Sequence, residues 1–438
     1  MGTVTSTQAK LVLNAFAAYF QNELVSADAF QWKMYDGDFD PRNRLKVSEQ
    51  VDPNYFVTQT TDGVADLSGG TQGSVFGSEM FAVNQTFGTS MGWGDFSAIR
   101  DMGDARESQA LKSAARRLAQ KIDAYTWGVA AIASNNWTGT VGNNISDQND
   151  AVSAYTRMKE EGVEDGDMRY ILNFTDRQLL GDQVINLTAP DKFATSTYKE
   201  GFDSMMNGIP ALFTQQLPVL TVGTRAAASA SQVDGAAENV NYADVAESTQ
   251  NGFYMTQELD VKGLTAGHTI VAGEVFSIAN VLAYDNRKQA LVQPSRVQQF
   301  TVVTGDTADG GGLATIRIFP AIIVPTSPPS TETEHINTAH ATVNSIPADS
   351  AAITWLGTAS TAYAPRVLVQ KQAIVINTQQ LMLPVTGIGV RRKLDGIPLS
   401  VRMWSNSTFT TGEFGVRFDV ALNANIRDRR RLVRFNGT

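Results

Sequence analysis

The chain has no cysteine in 438 residues, so disulfides, thiolate metal sites and cysteine nucleophiles are excluded. Histidine is nearly as scarce, with only His268, His335 and His340. No helical HExxH accompanies them, and the pair five apart beside a Pro-rich stretch predicts exposed loop histidines rather than a metal site. Charge is thin as well. Charged residues make up 18% of the chain, against roughly 25% in ordinary globular domains. The formal charge of −9 argues against a protein that coats nucleic acid with its whole surface, so any such contact is local.

No apolar run reaches the ~18 residues of a transmembrane helix. The opening MGTVTSTQAK lacks the basic segment and apolar core of a secretory signal. Both absences predict a protein made in a cytosol without membrane contact. Catalytic motifs are missing too. There is no GxxxxGK[ST], and GDTADGGGLA lacks the lysine of a phosphate loop. DGDFD, Asp36 to Asp40, spaces its acids like a calcium loop, but Pro41 and Val47 occupy the positions that need Gly and Glu. Glu160–Glu161 and Glu164–Asp165 read as solvated turns rather than glycosidase pairs. No catalytic residue, metal or cofactor is expected, and the chain does not read as an enzyme.

Thr7 to Leu24 predicts a first helix with Leu11, Ala15 and Ala18 on one side and Phe16, Tyr19 and Phe20 beside them. The run MYDGDFDPRNR, Met34 to Arg44, reads as irregular. Val47 to Ile99 then carries Glu49, Asp52, Asp62, Asp66, Glu79 and Asp95 and not one Lys or Arg. Its Phe/Val patches flank DGVADLSGGTQG, which predicts a long extended hairpin. Such a hairpin buries too little to stand alone, so it must lie on something basic.

A long helix follows. Asp104 to Glu107 has a capping-box pattern. Leu111, Ala115, Leu118, Ile122, Tyr125, Val129 and Ile132 form one apolar stripe, with Lys112, Arg116, Arg117 and Lys121 on the opposite half. Asn135 to Asn149 is polar, and mixed signals fill Ala151 to Leu220. After AAASASQ the chain turns to short β-rich runs with turn signals, a separate barrel or sandwich domain. It closes on a strand where Phe414, Val416, Phe418 and Val420 face one way, and on a tail with Arg427, Arg429, Arg430, Arg431 and Arg434. The basic helix face and this tail are either docking faces for acidic neighbours or phosphate contacts to nucleic acid.

The order of these features resembles the major capsid proteins of tailed bacteriophages, the α+β Hong Kong 97-type fold, most closely the coat proteins of short-tailed lambdoid Salmonella phages. The likeness is densest at Ser113 to Ala119, at GFDSMMNGIPALFTQQLPVLT (Gly201 to Thr221) and at Leu259 to Val303. It implies an N-terminal arm (1–45), an extended loop (46–100), a spine helix of the peripheral domain (101–135) and an axial domain (136–221). An inserted β domain (222–373) and a return to the axial and peripheral domains (374–438) complete it. The implied partners are copies of itself in hexamers and pentamers, a scaffolding protein during assembly, a portal at one vertex, decoration proteins where present, and packaged double-stranded DNA through non-specific contact. The implied location is the virion shell, assembled in the host cytoplasm.

The loop acids are then expected at contacts between subunits, and the basic residues there or facing the genome. One departure is legible. The founding member of the fold bonds a loop lysine to a neighbour's asparagine, whereas here no lysine lies between Lys46 and Lys112, so the shell is expected to be non-covalent. The competing readings are a tail-tube or surface-array subunit, mainly β and without the long helix, and more remotely a hydrolase.

Overall fold

The computed structural model describes residues 6–39, 46–51, 77–92, 108–145, 147–177, 205–206, 208–225, 231–246, 252–327, 329–407 and 414–437. The chain forms two compact units. The first holds Met1–Val47, Ala82–Val129 and Lys371–Arg427; the second holds Ser48–Phe81, Ala130–Gln370 and Asp428–Thr438.

In the first unit, helix Ser6–Glu23 buries Ala9, Val12, Leu13, Phe16 and Phe20. These recur every three or four residues and make the helix one-sided. The expected row through Leu11, Ala15 and Ala18 is displaced, with Ala18 exposed. Alanine is small enough to sit on either side, so the aromatic rings decide which face goes in. Phe16 stacks on Phe418 of the sheet with centroids 3.9 Å apart and planes within 2°.

That sheet runs, in order, through Gln31–Phe39, Ile374–Leu381, Phe414–Ile426, Ser400–Ser407 and Ile388–Lys393, with Gln85–Gly92 also paired to Phe414–Ile426. Two expectations change here. The acidic run beginning at Met34 is a strand, not an irregular segment: Gln31–Phe39 lies parallel to Ile374–Leu381 as far as Phe39, with a shift between Tyr35 and Asp38. At a sheet edge a strand needs only one partner, so polar sequence is tolerated there. The return arm of the expected hairpin also shortens. Gln85–Gly92 pairs antiparallel with Gly415 to Leu422 inside the sheet. Among the described residues, Lys46–Val51 and Gly77–Ala82 form a separate two-stranded ribbon.

The long helix spans Gln109–Ala133, 25 residues, or about 37 Å at 1.5 Å per residue. The chain passes from the first unit to the second within it. The Ser108 hydroxyl accepts from the Leu111 N–H at 3.3 Å, which caps the first turn. The expected box at Asp104 to Glu107 lies outside the described residues. The stripe at Leu111, Ala115, Leu118, Ile122 and Val129 is buried. Asp123 is buried with it, accepting from the Ser26 N–H at 3.0 Å and the Val25 N–H at 3.1 Å.

In the second unit, six antiparallel strands run in the order Gln232–Val233, Gln257–Lys262, Ala314–Phe319, Val297–Thr304, Val275–Leu282, Ile353–Leu356. An antiparallel bridge between Gln232 and Ala352 joins the first to the last, so the sheet closes into a barrel. Leu259, Val261, Phe276, Phe300, Ile316 and Ile318 fill it. The chain enters and leaves this region through paired segments Leu220–Thr221 and Ala362–Tyr363. The region therefore ends before the expected residue 373. Arg366–Gln370 lies instead in the unit's other sheet, between Leu432–Phe435 and Met168–Leu172. That sheet also holds Asn136–Thr138, Ile209–Phe213 and Met205–Met206, with Gln148–Glu160 as its neighbouring helix.

Candidate assembly surfaces

The acids of the hairpin divide by position. Glu49 and Glu79 sit on the ribbon strands Lys46–Val51 and Gly77–Ala82. Asp52, Asp62, Asp66 and Asp95 lie outside the described residues. On the long helix Arg116, Arg117 and Lys121 are exposed. Arg116 Nη2 bonds Glu23 of the first helix at 2.9 Å, and Lys112 Nζ lies 5.4 Å from the Tyr19 ring. Part of the basic face is thus engaged within the chain.

The tail arginines are mostly internal, which corrects the expectation that they face neighbours or genome. Arg434 has no exposed surface. It donates to the Gly273 carbonyl at 2.7 Å, to the Tyr363 hydroxyl at 3.2 Å and to the Ala131 carbonyl, with its guanidinium 5.0 Å from the Trp137 ring. Ala131 is in the last turn of the long helix, where carbonyls lack helical partners and a cation opposes the dipole favourably. Arg434 therefore closes that helix end. Arg430 and Arg431 both bond Asp428, and Arg431 also bonds Gln370 at 2.5 Å. Burial alone would raise the Asp428 carboxyl, but Arg430 and Arg431 hold it at about 2. Burial lowers the Arg429 guanidinium, with Glu161 acting the other way. Of the five, only Arg427 is exposed.

Other charged side chains are also turned inward. Arg366 forks onto Asp176 at 2.7 and 2.9 Å, and Arg225 pairs with Glu274 while lying 4.4 Å from the Trp355 ring. Arg296 bonds both Glu160 and Glu161, so those acids are not the solvated turn expected of them. Burial lowers Arg157 to about 10, and Arg296 adds to the shift. His340 is not an exposed loop residue either. It stacks on Tyr242 at 3.7 Å, and burial lowers it to about 4. Buried ion pairs of this kind add little net stability, but removing one partner strands the other.

Among the described residues, part of one face of the first unit's sheet is open, while Asn423 on that face is buried and accepts from the Tyr125 hydroxyl of the long helix at 2.6 Å. The face under helix Ser6–Glu23 buries Val390, Val401, Met403, Val416 and Phe418. On the opposite face Thr86, Gly88, Ser90, Arg391 and Arg417 are exposed. At its centre Asp419 is fully buried, accepting from Arg402 at 2.6 Å and Arg417 at 2.5 Å. Gly88 opposes Asp419 in the register, and a Cβ there would collide with the carboxylate. Beside it lies a turn carrying Met382 (48% exposed), Leu383 (45%) and Val385 (fully exposed). The Arg402 guanidinium donates to the Met382 carbonyl at 2.7 Å and the Trp404 indole to the Thr386 carbonyl at 3.0 Å. These two bonds tie the backbone of the turn to the sheet although its side chains meet water.

The family profile described as P22 coat protein, gene protein 5, matches residues 1–429. The chain belongs to the P22 coat protein family. None of the curated protein sequences matches it. Among solved structures it is similar to the capsid of cyanophage P-SCSP1u, at 8% identity over 95% of this chain and 88% of that one, with a TM-score of 0.41. The structure from Mycobacterium phage Che8 gives 10% identity, 96% and 92% coverage and 0.39. The capsid of Ralstonia phage GP4 gives 7%, 93% and 87%, and 0.40.

This coat protein is a structural protein of the phage head, so its chemistry is that of contact rather than turnover. Among its described residues no group of three metal-ligating side chains occurs, and no helix is long and apolar enough to cross a membrane. The open sheet face of the coat protein was invisible to sequence reading. Arg391, Arg402 and Arg417 come from three strands, and only the register brings them together.

Proposed function

We propose that the chain is the major capsid subunit of a tailed phage and assembles, as hexamers and pentamers, into a closed icosahedral Hong Kong 97-type shell around double-stranded DNA. The family match over residues 1–429 carries this reading. In it, residues 46–82 form the loop that lies across a neighbouring subunit. The helix Gln109–Ala133 is the spine, and the barrel between residues 220 and 363 is the inserted domain. A scaffolding protein guides assembly in the host cytoplasm, a portal takes one vertex, and DNA is held by non-specific contact.

The shell is non-covalent. Residues 47–111 contain no lysine for an isopeptide bond, and the chain has no cysteine. Exposed ion pairs contribute at most ~1 kcal/mol each, so repetition over many copies and apolar burial must hold it. Negative-stain microscopy of the purified chain tests the reading. Closed shells of uniform diameter are expected; open tubes or flat arrays would replace it with the tail-tube or surface-array reading, and small monodisperse particles would leave it without support.

A further inference from the structure

Helix Gln109–Ala133 breaks two local rules on its solvent side. From Gln109 to Ile122 it carries Lys112, Arg116, Arg117 and Lys121 and no acid. Lys112 and Arg116 are four apart, as are Arg117 and Lys121, and like charges at that spacing destabilise a helix. Lys112 also sits in the first turn, where the helix dipole disfavours a cation. Departures from local consistency that nothing inside the chain requires mark functional positions. Arg116, Arg117 and Lys121 are all exposed.

The chain offsets this charge only in part. Among the described residues Glu23, 2.9 Å from Arg116, is the one acid bonded to the row, and Lys112 is drawn over the Tyr19 ring. The row therefore keeps a surplus of positive charge on a chain whose formal charge is −9. Lys112 and Lys121 lie about 13 Å apart along the helix axis at 1.5 Å per residue. A partner with closely spaced negative charge matches such a row, and duplex DNA carries one charge per ~1.7 Å of its axis.

Apolar content separates DNA from an acidic protein. Protein interfaces rest on a few buried aromatic or aliphatic anchors. Among the described residues the large apolar side chains that are exposed, such as Phe174, Val219, Met382 and Val385, all come from other segments. None belongs to Gln109–Ala133 or to helix Ser6–Glu23 beside it. The exposed neighbours of the row on its own helix are Gln109 and Ser113, polar groups that suit phosphate oxygens. Neither helix carries an exposed aromatic residue to stack on unpaired bases.

We infer that the solvent face of helix Gln109–Ala133, through Lys112, Arg116, Arg117 and Lys121, lies against the phosphate backbone of packaged double-stranded DNA without sequence preference. The inference rests on the shell reading above and puts this helix on the inner surface. Each copy supplies a weak, salt-sensitive contact, and repetition over the shell makes the contacts effective together.

Two measurements test it. Free subunits are titrated into a fluorescent DNA duplex across a salt series. With about three phosphates neutralised, log K should fall against log salt with a slope of about −3, and R117Q/K121Q should flatten it by about 2. An unchanged slope in R117Q/K121Q, or no binding at low salt, overturns the inference. In DNA-filled particles, photoreactive benzoylphenylalanine in place of Ser113 should crosslink to DNA, whereas the same group in place of Ser90, exposed on the first unit's sheet, should not. Crosslinks from position 113 to protein would favour a protein partner and overturn the inference, as would equal DNA crosslinking from both positions. Failure of the unmodified chain to form closed shells counts instead against the shell reading.

Discussion

Replacing Arg434 with methionine separates an internal strut from a genome-facing cation. Methionine keeps an aliphatic stem near Trp137 but removes every donor. The Gly273 and Ala131 carbonyls and the Tyr363 hydroxyl then lose the guanidinium that serves them. An orphaned buried group costs ~1–3 kcal/mol, so the two carbonyls alone account for ~2–6. Relief from burying a charge offsets part of that, since burial is the main influence lowering the Arg434 guanidinium. A net loss of about 3 kcal/mol is expected. Urea unfolding of unassembled subunits, followed by tryptophan fluorescence, measures it, with exposed Arg427→Ala as the control. R427A is expected to stay within ~0.5 kcal/mol, as surface changes do. An R434M loss no larger than that of R427A would refute the assignment of Arg434 to the fold.

Three further outcomes are expected. His340 is lowered by burial from 6.5 to about 4, so its folded form favours the neutral ring. Stability is complete above pH 6.5 and falls as pH drops toward 4, by at most about 3 kcal/mol at 1.36 per unit; H340Q should flatten that limb, and an unchanged pH profile would count against the burial. Asp428 is depressed from 3.8 to about 2, so its contribution, about 2 kcal/mol, is present above pH 3.8 and lost as pH falls toward 2. D428N should abolish that loss in acid unfolding curves. Denaturing electrophoresis of mature particles should give a single band at the mass of one chain, whereas a ladder of multiples would contradict a non-covalent shell.

What could be read in the sequence depended on periodicity. The stripe from Leu111 to Val129 repeats with the helix turn, and Val416, Phe418 and Val420 alternate as a half-buried strand does; both faces are buried as expected. Helix Ser6–Glu23 was legible as an element but not in orientation, because four alanines blur its apolar row. The polar strand after Gln31 left no signal, since its partner Ile374–Leu381 is about 340 residues away in the chain. Arg434 looked like its basic neighbours, and only its place between Val433 and Phe435 in a short apolar run hinted at burial. The open face depends wholly on strand register, which no local pattern encodes.

A cryo-electron microscopy reconstruction of particles assembled from this chain tests the central claim most directly. A closed shell of pentamers and hexamers, with residues 46–82 of each subunit lying across a neighbouring subunit, is the expected result. A helical tube, or a closed shell in which that hairpin rests on its own subunit, would contradict the account.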